Sequence, residues 1–313
     1  MQNILRGGSR IEHVSGVGMI NVDILYSGIE RIPNEGEEIY SKEFDIQLGG
    51  GIPATMINLA RLGVPTELCT FLGNDMFSDY AKAQLEQYNT SYHNIYNGNG
   101  MPLAITSIIT TERDRTFISY RDHLTLNQEE QDKIYHKLKG AKIADMHLGF
   151  LDVYKRLKED GTILVFDVGW DEGMSLESYS EYLKLADYFT PNQKEALEIT
   201  KTKNLQDAAG KLKEYFDQVI IKLDKDGCML VEGDTTHIIP PLENIKAVDA
   251  TGAGDAFLSG FIYGLYHDYS VKEAILFGNI TGGLCVEGIG CLTRYVNEKE
   301  LLEIAEKHRK KIR

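Results

Sequence analysis

The chain has 313 residues, 42% of them apolar, and its 33 basic and 47 acidic residues leave a net charge of −14. Such a chain can bury the core of one large α/β domain, and an acidic surface with no Lys/Arg stripe among aromatics excludes nucleic acid as a partner. No run of eighteen apolar residues occurs, and the start of the chain has Arg6 and Arg10 but only a short apolar run before Gly7-Gly8, so neither a membrane partner nor an export segment is expected.

In chain order, apolar runs of strand length alternate with helical periodicity. Val14 to Ile24 reads as a first buried strand ending in the polar pair Asn21 and Asp23, which would face the ligand crevice at a strand's C-terminal edge. Ile52 to Leu62 reads as a helix stopped by Gly63 and Pro65, and Met76 to Tyr88 as another behind Asp75 as N-cap. Asn127 with Glu130 opens a helix that closes near Gly140. Lys142 to Leu148, Ile163 to Val168, Tyr188 to Thr190 and Gln218 to Leu223 are strand-like. Between them, Val153 to Glu159, a segment ending near Ala186, Lys194 to Thr200 and Leu205 to Phe216 are helix-like. This alternation predicts an α/β fold, a mostly parallel central sheet with helices on both faces, in a single domain over 1–313. Two segments break the rhythm: about 24–47 alternates around Pro33-Asn34-Glu35-Gly36, and about 101–121 reads as a hairpin around Glu112-Arg113-Asp114-Arg115.

Cys69, Cys228, Cys285 and Cys291 form no Cys-x-x-Cys pair and meet no His cluster at zinc spacing. They read as reduced, buried thiols of a cytoplasmic protein.

Chemistry concentrates in Val248-Asp249-Ala250-Thr251-Gly252-Ala253-Gly254-Asp255-Ala256-Phe257. Gly252, Ala253 and Gly254 carry almost no side chain, so their amides can turn toward one anion, and a helix starting near Gly254 adds its positive end. Asp255 in the first helical turn is then a carboxylate beside an anion hole. Phosphoryl transfer needs a positioned nucleophile, a proton acceptor and neutralised phosphoryl charge, and this junction has parts for all three. A plain strand-to-helix turn with a helix-start Asp would use the same residues.

Further residues separate the two readings. The run from Asp249 to Phe257 resembles the second signature of the PfkB, or ribokinase-like, family of carbohydrate kinases, with Ala250 in place of Thr. Gly49-Gly50-Gly51-Ile52-Pro53-Ala54 through Ala60-Arg61-Leu62-Gly63 resembles the first, with Ala54 where the family has a sugar-contacting Asn. Gly18 to Asp23, Leu72 to Phe77 and Pro191 to Glu195 extend the resemblance along nearly the whole chain. It implies a ribokinase-like fold in which 24–47 and 101–121 form a small β lid over the sugar and often a homodimer contact.

The resemblance also implies site residues. Asp255 is the catalytic base, with Gly252, Ala253 and Gly254 as the anion hole. Asn21, Asp23, Gly49, Gly50 and Arg121 would meet the sugar, with a turn-stabilising Asp as the lesser reading of Asp23 and a solvated charge as an equal reading of Arg121. Asn192, Lys222, Gly227, Gly254 and Asn279 would meet ATP, Lys222 standing where the family has a small hydroxyl residue. Glu195 would hold Mg²⁺ through water, and Asn192 with Glu195 is also a capping-box pattern. Asp249 with Gly288-Ile289-Gly290-Cys291 resembles a monovalent-cation site for K⁺.

The expected reaction is in-line transfer from ATP to a primary hydroxyl of a small neutral sugar such as ribose or fructose. A nucleoside kinase, a 2-keto-3-deoxygluconate kinase and a non-catalytic sugar or nucleotide sensor are the alternatives. An acidic substrate would call on Arg121 and Arg115, the obvious cations. A kinase with Gly-x-x-x-x-Gly-Lys-Ser/Thr is excluded because no such run occurs, and Gly16-x-Gly18-x-x-Asn21 lacks the third glycine of a dinucleotide site.

Overall fold

In the computed structural model, which describes residues 12–312, the apolar stretch starting at Val14 forms two strands, β1 (Val14–Val17) and β2 (Asn21–Ile29), in different sheets. This corrects the single strand expected from Val14 to Ile24. Gly18 N–H still donates to Cys69 in the central sheet, while Ile20 C=O already accepts from Ala104 in the second sheet. Both sheets bury this segment, so apolar periodicity does not break where the chain changes sheet. Arg6, Arg10 and Gly7-Gly8 lie outside the described residues.

The chain continues through β3 (Glu43–Leu48), α1 (Ile52–Arg61), β4 (Thr66–Thr70), α2 (Met76–Gln87), β5 (Tyr92–Asn94) and the hairpin of β6 (Ala104–Thr111) and β7 (Arg115–Arg121). Then come α3 (Gln128–Leu138), β8 (Ile143–Met146), α4 (Leu151–Glu159), β9 (Ile163–Phe166), α5 (Ser180–Leu185), β10 (Tyr188–Phe189), α6 (Gln193–Thr200), α7 (Leu205–Leu212) and β11 (Gln218–Lys222). The last elements are β12 (Cys228–Glu232), β13 (Thr235–Ile239), α8 (Ala253–Tyr266), α9 (Val271–Cys285) and α10 (Glu298–His308).

The central sheet, in the order β10-β9-β8-β1-β4-β5, is parallel throughout. Its strands are covered on both faces, which is why they read as unbroken apolar runs. One core cluster joins the sheet to α1, α2, α8, α9 and α10, and the other joins it to α3 through α7. Beyond β10, Lys222 N–H donates to Pro191 C=O at 2.9 Å, and this bridge attaches the antiparallel ladder β11-β12-β13, which sequence reading had not foreseen. The separate sheet β3-β2-β6-β7 contains the expected lid hairpin, but it begins at Asn21 rather than near residue 24.

Local rules account for most boundaries. Asp75 caps α2 by accepting from the Phe77 and Ser78 amides, and Asn127 and Glu130 form the predicted capping box. Helix α7 stops four residues before Phe216, because Phe216 turns inward to stack on Phe189. From Ala256 to Leu265 every residue of α8 is buried, so this helix is a fixed post rather than a surface element. The four cysteines are buried and unpaired, and among the described residues no helix is long and apolar enough to cross a membrane.

Candidate active site

The site is organised by the start of α8. Gly252, in the left-handed region at φ 74°, turns the chain into the helix, and any side chain there would run into Cys291. Ala253 N–H is held in the turn by Ala250 C=O at 3.3 Å, whereas the Gly254 and Asp255 amides have no hydrogen-bond partner among the described residues. These two first-turn donors, with the dipole behind them, face a cleft of about 880 Å³.

Asp255 stands in the wall of that cleft. Burial pushes its carboxyl up to about 6; the Gly51 amide donates to it and opposes the rise, Asp167 adds to it, and Lys222 opposes it. Gly50 passes so close that a β-carbon there would strike the Asp255 carboxylate, so this crossing requires glycine. Asp23 lies on the lid side of the same turn, where its Oδ1 accepts from Asn21 Nδ2 at 2.5 Å and Asn21 Oδ1 accepts from Thr106 at 3.1 Å. Burial lifts Asp23 to about 6 against the Asn21 hydrogen bond, with Asp249 and Asp255 adding repulsion. Gly49 is tied to this pair, donating its N–H to Asn21 C=O at 2.7 Å. Two carboxylates thus flank the Gly49-Gly50 crossing.

The residues expected to meet ATP, Asn192, Glu195, Lys222, Gly227 and Asn279, all line the cleft together with Gly252, Ala253 and Gly254. Lys222 Nζ is buried against Asp167 at 3.1 and 3.3 Å. Burial alone would lower the ammonium's pKa, but Asp167 and Glu195 outweigh it and hold the group above its ordinary value. A β-carbon on Gly254 would lie 3.6 Å from Nζ, so the charge stands beside the anion hole. Asn192 and Glu195 form a full capping box, Asn192 accepting from the Lys194 and Glu195 amides and Glu195 accepting from Asn192 N–H at 2.8 Å. Burial nevertheless raises Glu195 to about 7, opposed by Lys222. Asn279 spends its side-chain amide on the Ile239 and Pro240 carbonyls, both at 3.0 Å, and so fixes the end of β13 beside the cleft.

Two expected residues sit elsewhere. Arg121 shares the lid's inner face with Asn21, two strands away in register, but is exposed at the edge strand. Asp249 does not open onto the cleft as a free carboxylate; it is bonded to Arg115 from the lid, to Thr251 and to the Gly290 amide.

Sequence reading missed Asp145 and Asp167, at the C-terminal ends of β8 and β9, which also line the cleft. The crevice rule applied to Asn21 and Asp23 would have found both. Burial, then Asp167 and Asp255, hold Asp145 well above the carboxylate range. Its two oxygens have no hydrogen bond of normal geometry, the Thr55 hydroxyl being near enough only to ease the charge. Leu242, Ile245 and Val286 give the cleft an apolar stretch of wall, beside Gly282 and Gly283.

The arrangement is an acid-rich floor, one buried ammonium, free helix-start amides and an apolar slot, all in one cleft. Comparison with known proteins agrees with it. The chain is 27% identical to the ribokinase of Mus musculus over 91% of this chain and 92% of that protein, and 23% identical to the nucleoside kinase of Methanocaldococcus jannaschii over 96% and 99%. The solved ribokinase of Giardia lamblia superposes with a TM-score of 0.82 at 19% identity, covering 95% of this chain and 99% of that one. Residues 14–297 match the profile of the pfkB family carbohydrate kinases; the chain belongs to that family and is an ATP-dependent carbohydrate kinase with the ribokinase fold.

Proposed function

We propose that the enzyme transfers the γ-phosphoryl group of ATP to a primary hydroxyl of a small neutral sugar such as ribose or fructose, with Asp255 as general base. One observation carries this reading: the Asp255 carboxylate stands between the lid-side acceptors Asn21 and Asp23 and the free amides at the start of α8. A hydroxyl held by Asp23 would present its proton to Asp255, while the free amides of Gly254 and Asp255 and Lys222 Nζ draw charge from the moving phosphoryl group; Ala253, expected in the anion hole, has its amide committed to Ala250 C=O. Transfer is direct, with no phosphoenzyme.

Glu195, through water, with Asp145 and Asp167 beside it, would hold Mg²⁺ against the phosphates. The fit rests on the donor set, carboxylate oxygens that burial leaves short of compensating positive charge. When bound, the ion neutralises phosphate charge. Such an ion would keep most of its waters and take phosphate oxygens. The apolar wall of Leu242, Ile245 and Val286 suits the adenine.

A neutral acceptor is favoured over a 2-keto acid because Arg115 is committed to Asp249, which leaves Arg121, exposed on the edge strand, as the one remaining cation of the two expected there. The intact Asp255 junction speaks against a sensor. A homodimer through the lid is supported by the sheet's other face, where Phe44, Ile118 and Tyr120 stand exposed beside Tyr26 and Ile46; light scattering on the purified protein would test it.

The decisive experiment is ADP release with about twenty sugars and a set of nucleosides. Turnover on a neutral pentose or hexose supports the proposal. Turnover on nucleosides alone, the alternative suggested by the Methanocaldococcus jannaschii relative, would replace it, and turnover on none would return the sensor reading.

A further inference from the structure

Asp249 was expected to help bind a monovalent cation beside the anion hole, and the residues present do not fit one. A carboxylate offers about four lone-pair positions. Here Oδ1 accepts from the Thr251 amide at 2.9 Å, from the Thr251 hydroxyl at 2.8 Å and from Arg115 Nη1, while Oδ2 accepts from the Gly290 amide at 2.8 Å. The same Arg115 nitrogen donates to the Thr251 hydroxyl at 2.6 Å. Three donors saturate Oδ1 and one position on Oδ2 stays open, but a cation there would stand against the Arg115 guanidinium, which would repel it. The Asp249 carboxylate, mostly buried, is held below its ordinary pKa: burial pushes it up, and the Gly290 and Thr251 donors with Arg115 outweigh that.

Arg115 is not part of the nucleotide domain. It opens β7, across from Thr110, on the same face of the lid as Ser119 and Thr106, the hydroxyls hydrogen-bonded next to Asn21. The lid therefore reaches over the sugar side and places a fixed positive charge on Asp249, three residues before the anion-hole amide of Gly252.

We propose that Arg115 is a positioning residue that takes the place of a monovalent cation, holding the Asp249–Thr251 turn so that the free first-turn amides of Gly254 and Asp255 point at the phosphates, and that the enzyme consequently does not respond to K⁺. This rests on the kinase reading above for the identity of the anion, but not on the choice of acceptor. Because the charge comes with the lid, closure over the acceptor and ordering of the anion hole are one event. The neighbouring charges that could compete for the guanidinium are few: Asp114 precedes it in the turn, and Asp23 and Asp255 lie beyond Asp249.

The test has two arms. In the first, calorimetric titration of the non-hydrolysable analogue AMP-PNP with Mg²⁺ is run in 100 mM K⁺ or in 100 mM tetramethylammonium; in the second, steady-state turnover on the best acceptor is measured in the same salts. The wild type should change less than twofold between salts in both. Arg115→Ala should lose about tenfold or more in nucleotide affinity and in kcat, and should recover several-fold with K⁺ or with added guanidinium, which a purely structural loss would not do. Arg115→Lys should keep an intermediate activity. Five-fold or greater stimulation of the wild type by K⁺ overturns the proposal, as does an Arg115→Ala variant with unchanged affinity, or one that is folded by circular dichroism, impaired, and deaf to both cations. Should Arg115→Ala not fold, the wild-type salt response and the Arg115→Lys variant decide. The binding arm needs no acceptor, so a wrong sugar assignment would leave it readable.

Discussion

The two sides of Asp255 are built differently. On the side proposed for the nucleotide the groups are largely backbone: contiguous amides at the start of α8, fixed because α8 is buried through ten consecutive residues against α9 and the sheet. On the acceptor side they are side chains on strands far apart in sequence, Asn21 and Asp23 on β2, Thr106 on β6, and Ser119 and Arg121 on β7, the last an edge strand exposed along nearly its whole length. A backbone cradle locked into a core tolerates little variation and suits the invariant part of the reaction, the phosphates. A sheet held by pairing, with one exposed edge, lets side chains change without disturbing the fold, and suits the choice of acceptor.

If this division is right, substitutions on the two sides should fail in different kinetic constants. The largest loss is expected for Asp255→Asn, which keeps the shape and removes the proton acceptor: kcat should fall by about 10²- to 10⁴-fold with little change in ATP affinity. Near-normal turnover would remove Asp255 from the reaction and collapse the comparison. Next is Lys222→Met, expected to lower kcat by about 10²-fold, in line with the loss of one donor to developing charge. Because it leaves Asp167 buried without its partner, its Tm and circular dichroism should be read beside kcat; a kcat loss at wild-type Tm would assign the effect to catalysis and not to folding. Lys222 also opposes the rise of the Asp255 carboxyl. The acid limb of the wild-type kcat/KM profile should therefore fall away below about pH 6, and that of Lys222→Met should begin at higher pH.

On the lid side, Asp23→Asn should raise KM for the acceptor by about 10- to 100-fold, the worth of one or two hydrogen bonds to a charged group, and leave KM for ATP nearly unchanged. A parallel rise in both constants would erase the boundary between the sides.

The same contrast decides what the sequence disclosed. The cradle was legible because Gly252, Gly254 and Asp255 are neighbours in the chain and their roles follow from helix-start geometry; so were the capping boxes at Asn127 and Asn192, which need only three residues of spacing. The central sheet was legible because strands buried on both faces are continuous apolar runs. What escaped depends on distant pairing. The change of sheet between Val17 and Asn21 left no mark in periodicity, and the ion pair between Arg115 and Asp249 joins residues 134 positions apart. Asp145 is an intermediate case: one acid within a buried strand was a visible anomaly, and only the position of that strand in the sheet explains it.

The smallest predicted effect distinguishes an acid retained for chemistry from one retained for stability. Burial raises the Asp255 carboxyl from 3.8 to about 6, so the folded protein holds the charged form at a cost that the unfolded chain does not bear. A shift of about two pK units corresponds to roughly 2–3 kcal/mol, and solvent access from the cleft reduces it to about 1–2 kcal/mol. For a carboxyl whose pKa rises on folding, the penalty is absent below about pH 4, grows as pH rises toward 6, and is complete above it. Asp255→Asn never ionises and should therefore be more stable than the wild type at pH 7.5, by roughly 1–3 °C in Tm, with the difference closing toward pH 4. Calorimetric scans at the two pH values measure it. A variant less stable than the wild type at both would mean that the hydrogen bond from the Gly51 amide outweighs burial, and that Asp255 holds the Gly50 crossing and the start of α8 together as well as taking the proton.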